Sequence, residues 1–301
     1  MENNFNISNL TSFKIGGEIK KVYFPTTVEE FIEILKKEPE ARVFGNLSNT
    51  LVSSFGYDGT LIVTTKMDNI VIKGNRVVVD CGVKGPKLAQ TVAENNLSGF
   101  EFMIGFPGSI GGNICMNASA HGQCISDKLV SVKIYDGQDV KTYSKAEMEF
   151  AYRHSICMDK DIIVLSAEFE LESKNAEEIK AKMQENLAFR NSHQPSMALP
   201  NCGSVFKNPP GDSAGRLLES IGAKQMSEGG VHVWENHANF IINDKTATSL
   251  DVLRLMNKMS NAVENKYGIK LIPEVRFLGG NNQEEVELCK NLKIESIKNL
   301  K

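Results

Sequence analysis

Much of what usually identifies a protein is missing from these 301 residues. No apolar run approaches the ~18–20 residues that span a bilayer, and the longest, such as Ile162-Ile163-Val164-Leu165, are strand-sized. The start, Met1-Glu2-Asn3-Asn4-Phe5, lacks the basic-then-apolar order of a secretory signal. We therefore expect a cytoplasmic protein without a membrane span. A net charge of -3 with basic residues in isolated pairs (Lys20-Lys21, Lys36-Lys37) gives no general pull toward nucleic acid, so none is expected as a partner. Six cysteines (81, 115, 124, 157, 202, 289) form no C-x-x-C pair, and no His-Glu-x-x-His accompanies them. Free thiols are the expectation, with neither disulfide nor metal. The five histidines (121, 154, 193, 232, 237) read as core or surface residues rather than metal ligands.

Nucleotide and hydrolase signatures are missing too. No two glycines are separated by a single residue, which excludes the G-x-G-x-x-G of a Rossmann dinucleotide site. Neither the phosphate-loop motif G-x-x-x-x-G-K-[ST] nor the nucleophile elbow G-x-S-x-G occurs.

What remains is an ordinary globular composition, 41% hydrophobic and 24% charged. The length exceeds a single core of about 250–300 residues, so two or three subdomains are expected. Strand-like and helix-like segments intersperse without a βαβ repeat, which makes the fold class α+β. Thr27-x-x-Glu30 opens a helix carrying Val28, Phe31, Ile32 and Leu35 at helical spacing. Short β-branched runs follow at 60–63, 69–72 and 76–79, and Pro86 suits the first turn of the next helix. Asp136-Gly137 between apolar runs predicts a hairpin. Residues 163–171 alternate as a strand, and Asn175 begins a long helix with Ala176, Ile179, Met183 and Leu187 inward. Two prolines mark a boundary at Asn191–Pro200. Beyond it we expect a short helix stopped by Gly222, a strand at 240–242 and a longer helix ending at Gly268. Residues 281–301 read as a peripheral helix or frayed tail.

Two segments could cradle a phosphate. Gly45-Asn46-Leu47-Ser48-Asn49-Thr50 follows a strand and combines glycine with residues that tolerate left-handed backbone. Gly105-Phe106-Pro107-Gly108-Ser109-Ile110-Gly111-Gly112-Asn113 holds four glycines and lets a backbone approach a flat or charged ligand. Two such segments favour a large dinucleotide. Arg153, Ser204 and Glu274 stand in tightly turned or apolar settings but far apart in sequence. The residues alone thus lead to a nucleotide-using α+β enzyme whose reaction stays open.

Taken in order, these segments resemble the UDP-N-acetylenolpyruvoylglucosamine reductase family of peptidoglycan synthesis, in its compact form. The likeness runs from Thr11-Ser12-Phe13-Lys14-Ile15-Gly16-Gly17 through Gly45–Leu51, Pro107–Gly112 and Met116-Asn117-Ala118. It continues through Tyr152-Arg153-x-Ser155, Gly203–Pro209 and His237–Asn243 to Pro273-Glu274-Val275. The resemblance implies a two-lobed FAD-binding domain of the vanillyl-alcohol-oxidase type at 1–190, with lobes about 1–66 and 67–190. A smaller α+β substrate domain with a tail would occupy 191–301. NADPH would be the hydride donor, the partner a nucleotide-sugar substrate, and the protein a monomer. FAD contacts would come from Gly45, Asn46, Leu47, Ser48, Asn49, Thr50, Leu51, Pro107, Gly108, Ser109, Gly111, Gly112, Asn117 and Ala118. Arg153 and Glu274 would polarise the enolpyruvyl carboxylate, Ser204 would donate a proton, and Lys207, Asn208 and Asn239 would touch substrate. Leu47 stands where the family usually has glycine, Ser119 and His121 where Gly and Tyr are common, and Trp234 where Ser is usual. Those departures motivate an alternative, a flavin-binding scaffold without reductase activity; an oxidase of the same flavin fold is a further rival.

Overall fold

The computed structural model describes residues 1–294, so the last part of the tail lies outside the described residues. Among the described residues, seven α-helices accompany two main sheets and several short strand pairs. The first sheet orders Glu2–Asn6, Glu18–Tyr23, Tyr57–Val63 and Arg42–Phe44, the first pair antiparallel and the other two parallel. The second is antiparallel throughout: Val140–Ser144, Leu129–Tyr135, Ile163–Glu170, Arg76–Asp80 and Ile70–Lys73.

Local chemistry explains most helix ends. Helix α1 (Val28–Lys37) starts where the Thr27 hydroxyl accepts from the Glu30 N–H, and it buries Phe31, Ile34 and Leu35. The Glu30 carboxylate turns back to the Thr26 N–H at 2.7 Å, one residue earlier than a capping box requires. Helix α2 (Gly85–Glu94) has Pro86 in its first turn and buries Leu88, Ala89, Val92 and Ala93, as the sequence predicts. Helix α3 (Ile110–Cys115) is short and grows out of the glycine-rich segment. Helix α4 (Ala176–His193) differs from expectation. Ile179 is buried, but Met183 and Leu187 are half-exposed, and Asn186 takes the other buried position. Helices α5 (Ala214–Ser220) and α6 (Ser249–Tyr267) belong to the C-terminal part. Thr248 and Asp251 form a reciprocal capping box on α6, and Gly268 ends it at φ 67°. The tail forms α7 (Gln283–Leu292).

Three apolar cores result. The largest packs α1 and α2 against the antiparallel sheet, with Phe100 and Phe169 edge to face at 4.9 Å. A small one fills the first sheet with Ile7, Ile19, Val22, Leu61 and Leu47. The third joins α5, α6 and the strands Val231–Val233 and Ile241–Asn243, and it admits Phe13, Ile15 and Leu51 from the N-terminal part. The chain also crosses back. Strand Arg276–Leu278 pairs in parallel with Thr50–Val52, directly after the first glycine-containing turn. The C-terminal part is therefore stitched to the turn at 45–51.

Candidate active site

The two glycine-containing segments meet. The Asn46 amide donates to the Pro107 carbonyl, and a Cβ on Gly45 would lie 1.8 Å from Ser109 Oγ. Only glycine lets the segments approach this closely. Between them and the strand ends lies a cavity of about 690 Å³, lined by Gly45, Ser109, Gly111, Gly112, Arg153 and Lys207 among others.

Each expected cofactor residue has a definite place. Leu47 adopts φ 48° with its side chain 4% exposed in the small core. Left-handed backbone costs a non-glycine residue roughly 1–2 kcal/mol. Burying a leucine returns about 1.5–3 kcal/mol, so here the side chain offsets the strain. The Ser48 carbonyl accepts from Ser12 Oγ, and Thr50 and Leu51 are buried in their strand. Asn49 ties the turn to the segment 274–276: its amide donates to the Glu274 carbonyl at 3.0 Å, and its own carbonyl accepts from Arg276 N–H at 3.0 Å. On the second segment, a Cβ on Gly108 would strike Asn113 Oδ1 at 2.3 Å. Gly111 N–H is already spent on the Cys81 carbonyl at 2.8 Å, so this glycine contributes proximity rather than a donor. Gly112 is open toward the cavity, with Ser109 Oγ the only atom within 4 Å of its would-be Cβ.

Asn117 and Ala118 sit behind this wall. Asn117, at φ 42°, donates its amide to the Ala151 carbonyl, while Ala118 is buried with both backbone groups bonded to neighbours in the chain. The departures nearby are accommodated. Ser119 Oγ is 3.5 Å from the Arg153 guanidinium, His121 meets Phe189 edge on, and Trp234 packs on Phe240.

Arg153 rides on a tight turn. Ala151 and His154 exchange both backbone hydrogen bonds, and Arg153 takes φ 53° at the tip, a position glycine usually fills. Such strain needs over-determined surroundings, and Asn117 and Ser155 supply them by bonding to Ala151 O and Cys115 O. Arg153 Nε lies 3.0 Å from Glu274 Oε1, with both side chains mostly buried. That Nε–H has no aligned acceptor, so the contact is not a straight hydrogen bond. Burial raises the Glu274 pKa above the ordinary carboxylate range, and the charges of Arg153 and Lys207 restrain the rise.

Ser204 reaches the neighbourhood through the backbone. It bridges to Phe240, while the next residue, Val205, accepts Glu274 N–H at 2.9 Å. Its segment thus lies beside the Glu274 strand, but its hydroxyl is not bonded to the Arg153–Glu274 pair. Lys207 lines the cavity. Asn208 is exposed, and its side-chain carbonyl caps α5 at Ala214 N–H. Asn239 lies further inside. It is buried, and its amide both donates to and accepts from the Phe206 backbone at 2.9 and 3.0 Å. Its side chain is a strut for the Ser204–Lys207 segment.

A dinucleotide fits this cradle by its unmet donors and acceptors. Ser109 Oγ, Asn113 Nδ2 and Asn117 Oδ1 are buried around the glycine-rich segment without a partner. Buried polar atoms normally have one, and three together mark a surface built for a polar ligand. The comparisons agree. A model of the FAD binding domain matches residues 19–141, and one of the UDP-N-acetylenolpyruvoylglucosamine reductase C-terminal domain matches residues 194–278. The UDP-N-acetylenolpyruvoylglucosamine reductase of Lactococcus lactis subsp. cremoris strain MG1363 is 38% identical over 278 residues, 91% of this chain and 93% of that one. The chain belongs to the UDP-N-acetylenolpyruvoylglucosamine reductase family.

Other members of this reductase family match as well. The enzyme of Caldanaerobacter subterraneus subsp. tengcongensis is 38% identical over 89% of this chain and 90% of its own. The crystal structure of the Thermus caldophilus reductase superposes with a TM-score of 0.78 at 32% identity, over 91% of this chain and 98% of that one. Within the reductase frame, sequence reasoning missed the anchoring roles of Asn49, Asn117 and Ser155. The Asn-rich turn and the Tyr-Arg-x-Ser spacing were the signals that could have found them.

Proposed function

We propose that this protein reduces UDP-N-acetylenolpyruvoylglucosamine to UDP-N-acetylmuramate with FAD and NADPH, a step in peptidoglycan precursor synthesis. The observation that carries the reading is the buried Arg153–Glu274 pair, hydrogen-bonded through Asn49 to the phosphate-type turn. When bound, FAD reduced by NADPH would supply the hydride for the enolpyruvyl double bond. The residues of the chain manage the charge and the proton that accompany it.

Gly45, Ser48, Ser109 and Gly112 hold the dinucleotide in the cleft, with Leu47 and Asn49 keeping the turn in shape. The Arg153 fork faces the substrate carboxylate, where its fixed charge stabilises density arriving from the double bond. Glu274, its pKa raised by burial, holds a proton at higher pH than a free carboxylate and donates a hydrogen bond to the same group. Ser204 delivers the proton to C2 from the strand beside Glu274. Lys207 contributes positive charge at the cavity edge, suited to the substrate diphosphate or sugar. No helix among the described residues is long and apolar enough to cross a membrane, in keeping with a water-borne nucleotide sugar as substrate.

Substrate-dependent NADPH oxidation by the purified, FAD-loaded protein tests the reading. A yellow protein should release one non-covalent FAD per chain on heating and oxidise NADPH only when the enolpyruvyl nucleotide is present. A protein that cannot be reconstituted with FAD, or that holds FAD but ignores the nucleotide, would overturn it.

A further inference from the structure

The last turn of α4 carries a ring stack that the Arg153–Glu274 pair does not use. Phe189 is 53% exposed, although large and apolar. His193 lies nearly parallel to it, 4.1 Å between centroids and 16° between planes, and His121 meets it edge on at 5.2 Å. His193 Nδ1 is 2.8 Å from the Phe189 carbonyl oxygen, which holds the second ring in place. Next to Phe189 stands Arg190. Its Nε donates to the Gly105 carbonyl at 3.1 Å, at the start of the glycine-rich segment, and a Cβ on Gly105 would lie 2.5 Å from Arg190 Cδ. Its Nη1 is buried without a partner. Burial lowers the Arg190 pKa, and no charge among the described residues offsets that. A guanidinium drawn out of water with a donor unmet is costly until an anion completes it.

We propose that the Phe189 ring stack and Arg190 form a docking shelf for the uridine diphosphate end of the substrate, with the base on the rings and a phosphate oxygen on the guanidinium. The shelf rests on the reductase reading and extends it to the end of the substrate remote from the reaction. Two independent observations converge on a nucleotide. A flat exposed ring suits a base, and an unmet guanidinium donor suits a phosphate oxygen. Position then favours the substrate over the hydride donor. Ser119–Ala120 and Gln123–Cys124 form a hairpin whose two turn residues, His121 and Gly122, both take positive φ, the tight turn that matches strand twist. Ser119 Oγ on that hairpin is 3.5 Å from the Arg153 guanidinium. Two residues of chain span at most about 7 Å, so the hairpin ties the stack to the residue that takes the enolpyruvyl carboxylate. In the substrate a sugar and a diphosphate separate that carboxylate from the base. The nicotinamide of the hydride donor carries a carboxamide instead and offers Arg153 no such anchor.

The test uses the FAD-loaded full chain, calorimetry with UDP as the probe, and steady-state kinetics. Phe189 is exposed, so Phe189→Leu should fold and keep its flavin. It should weaken UDP binding about tenfold or more and raise KM for the enolpyruvyl nucleotide by a similar factor, with kcat changed less than KM. Phe189→Tyr, which keeps the ring, should stay within about threefold of the wild type. Arg190→Gln should also weaken UDP about tenfold or more, because the fork that meets the phosphate is gone. UDP affinity indifferent to Phe189→Leu overturns the shelf. So does a raised KM for NADPH in place of weakened UDP binding, which would give the rings to the hydride donor. Loss of FAD rather than of UDP in Arg190→Gln overturns the phosphate contact and leaves Arg190 as a brace for the glycine-rich segment. A wild-type chain that binds UDP through Phe189 yet does not oxidise NADPH with the enolpyruvyl nucleotide overturns the functional reading and leaves the shelf standing.

Discussion

Arg153 and Glu274 face each other at 3.0 Å, and Glu274 is at the same time hydrogen-bonded through its backbone to Asn49 in the cofactor turn. The Arg153–Glu274 pair is thus fixed to the turn at 45–51 as well as to the C-terminal part. Each partner also conditions the other. Without Arg153 nothing but Lys207 would restrain the pKa rise that burial imposes on Glu274.

Glu274→Gln and Arg153→Ala should therefore leave reduction of the flavin by NADPH nearly intact and slow its reoxidation by substrate. Losing one contact aimed at developing charge costs about 10²–10³ in rate. Rapid-mixing absorbance of the flavin separates the two half-reactions. Equal damage to both would assign these residues to shaping the flavin site instead.

Ser204→Ala should bind substrate and accept electrons normally, yet stall when reduced flavin meets substrate. General acid catalysis contributes roughly 10²–10⁴-fold, which is the loss expected in that half-reaction. Ser204→Cys should keep partial activity, because a thiol can donate from nearly the same place. If Ser204 merely shaped the turn after Gly203, the Ala variant would lose on the order of 1 kcal/mol of stability and little turnover. An Ala variant with wild-type reoxidation would remove Ser204 from the mechanism.

Gly45→Ala should weaken FAD binding at least tenfold while shifting the melting of the stripped protein little. Its Cβ would occupy the space of Ser109 Oγ, forcing that hydroxyl aside or the two segments apart. Adding Ser109→Ala should recover part of the affinity, giving a non-additive cycle in fluorescence titrations of FAD. Additive losses would show that the two residues act separately.

Glu285 makes stability depend on pH. It is fully buried on α7, with its carboxylate accepting from Ser53 Oγ at 2.7 Å and from Ser249 Oγ. Burial raises its pKa from the ordinary 4.5, and the two serine bonds oppose the rise. Between 4.5 and the raised value the folded chain holds a proton that the unfolded chain has released. Stability from this group is therefore full below the ordinary value and declines as pH rises through the folded one. Denaturant midpoints measured from pH 4 to 8 should fall less steeply for Glu285→Gln than for the wild type. Parallel curves would rule Glu285 out as the source.

The parts legible in the sequence are those whose cause is local. Thr27, Pro86 and Gly268 each set a helix end through chemistry confined to one turn, so spacing alone finds them. The half-exposed face of α4 was not legible, because apolar spacing says which residues share a face and not what lies opposite. Strand Arg276–Leu278 beside Thr50–Val52 was hidden for a related reason, since no short-range signal announces a parallel partner on the other side of the chain. At the site, glycine density marked the cradle, whereas Arg153, Ser204 and Glu274 came together only through the family resemblance. The bracing role of Asn239 was not legible, because a polar residue between apolar ones looks the same in sequence whether it faces a ligand or braces a backbone.

The parallel pairing of Arg276–Leu278 with Thr50–Val52 has a consequence in time. Protein synthesis releases the chain from its N-terminus at about 5–20 residues per second. The turn at 45–51 leaves the ribosome early, but Glu274, Arg276 and Leu278, whose backbones fasten it and the strand that follows, emerge more than two hundred residues later. The antiparallel sheet and its core can form during translation. The fastening of the turn at 45–51 is thus completed almost last, on the arrival of Glu274 and of the strand that follows it.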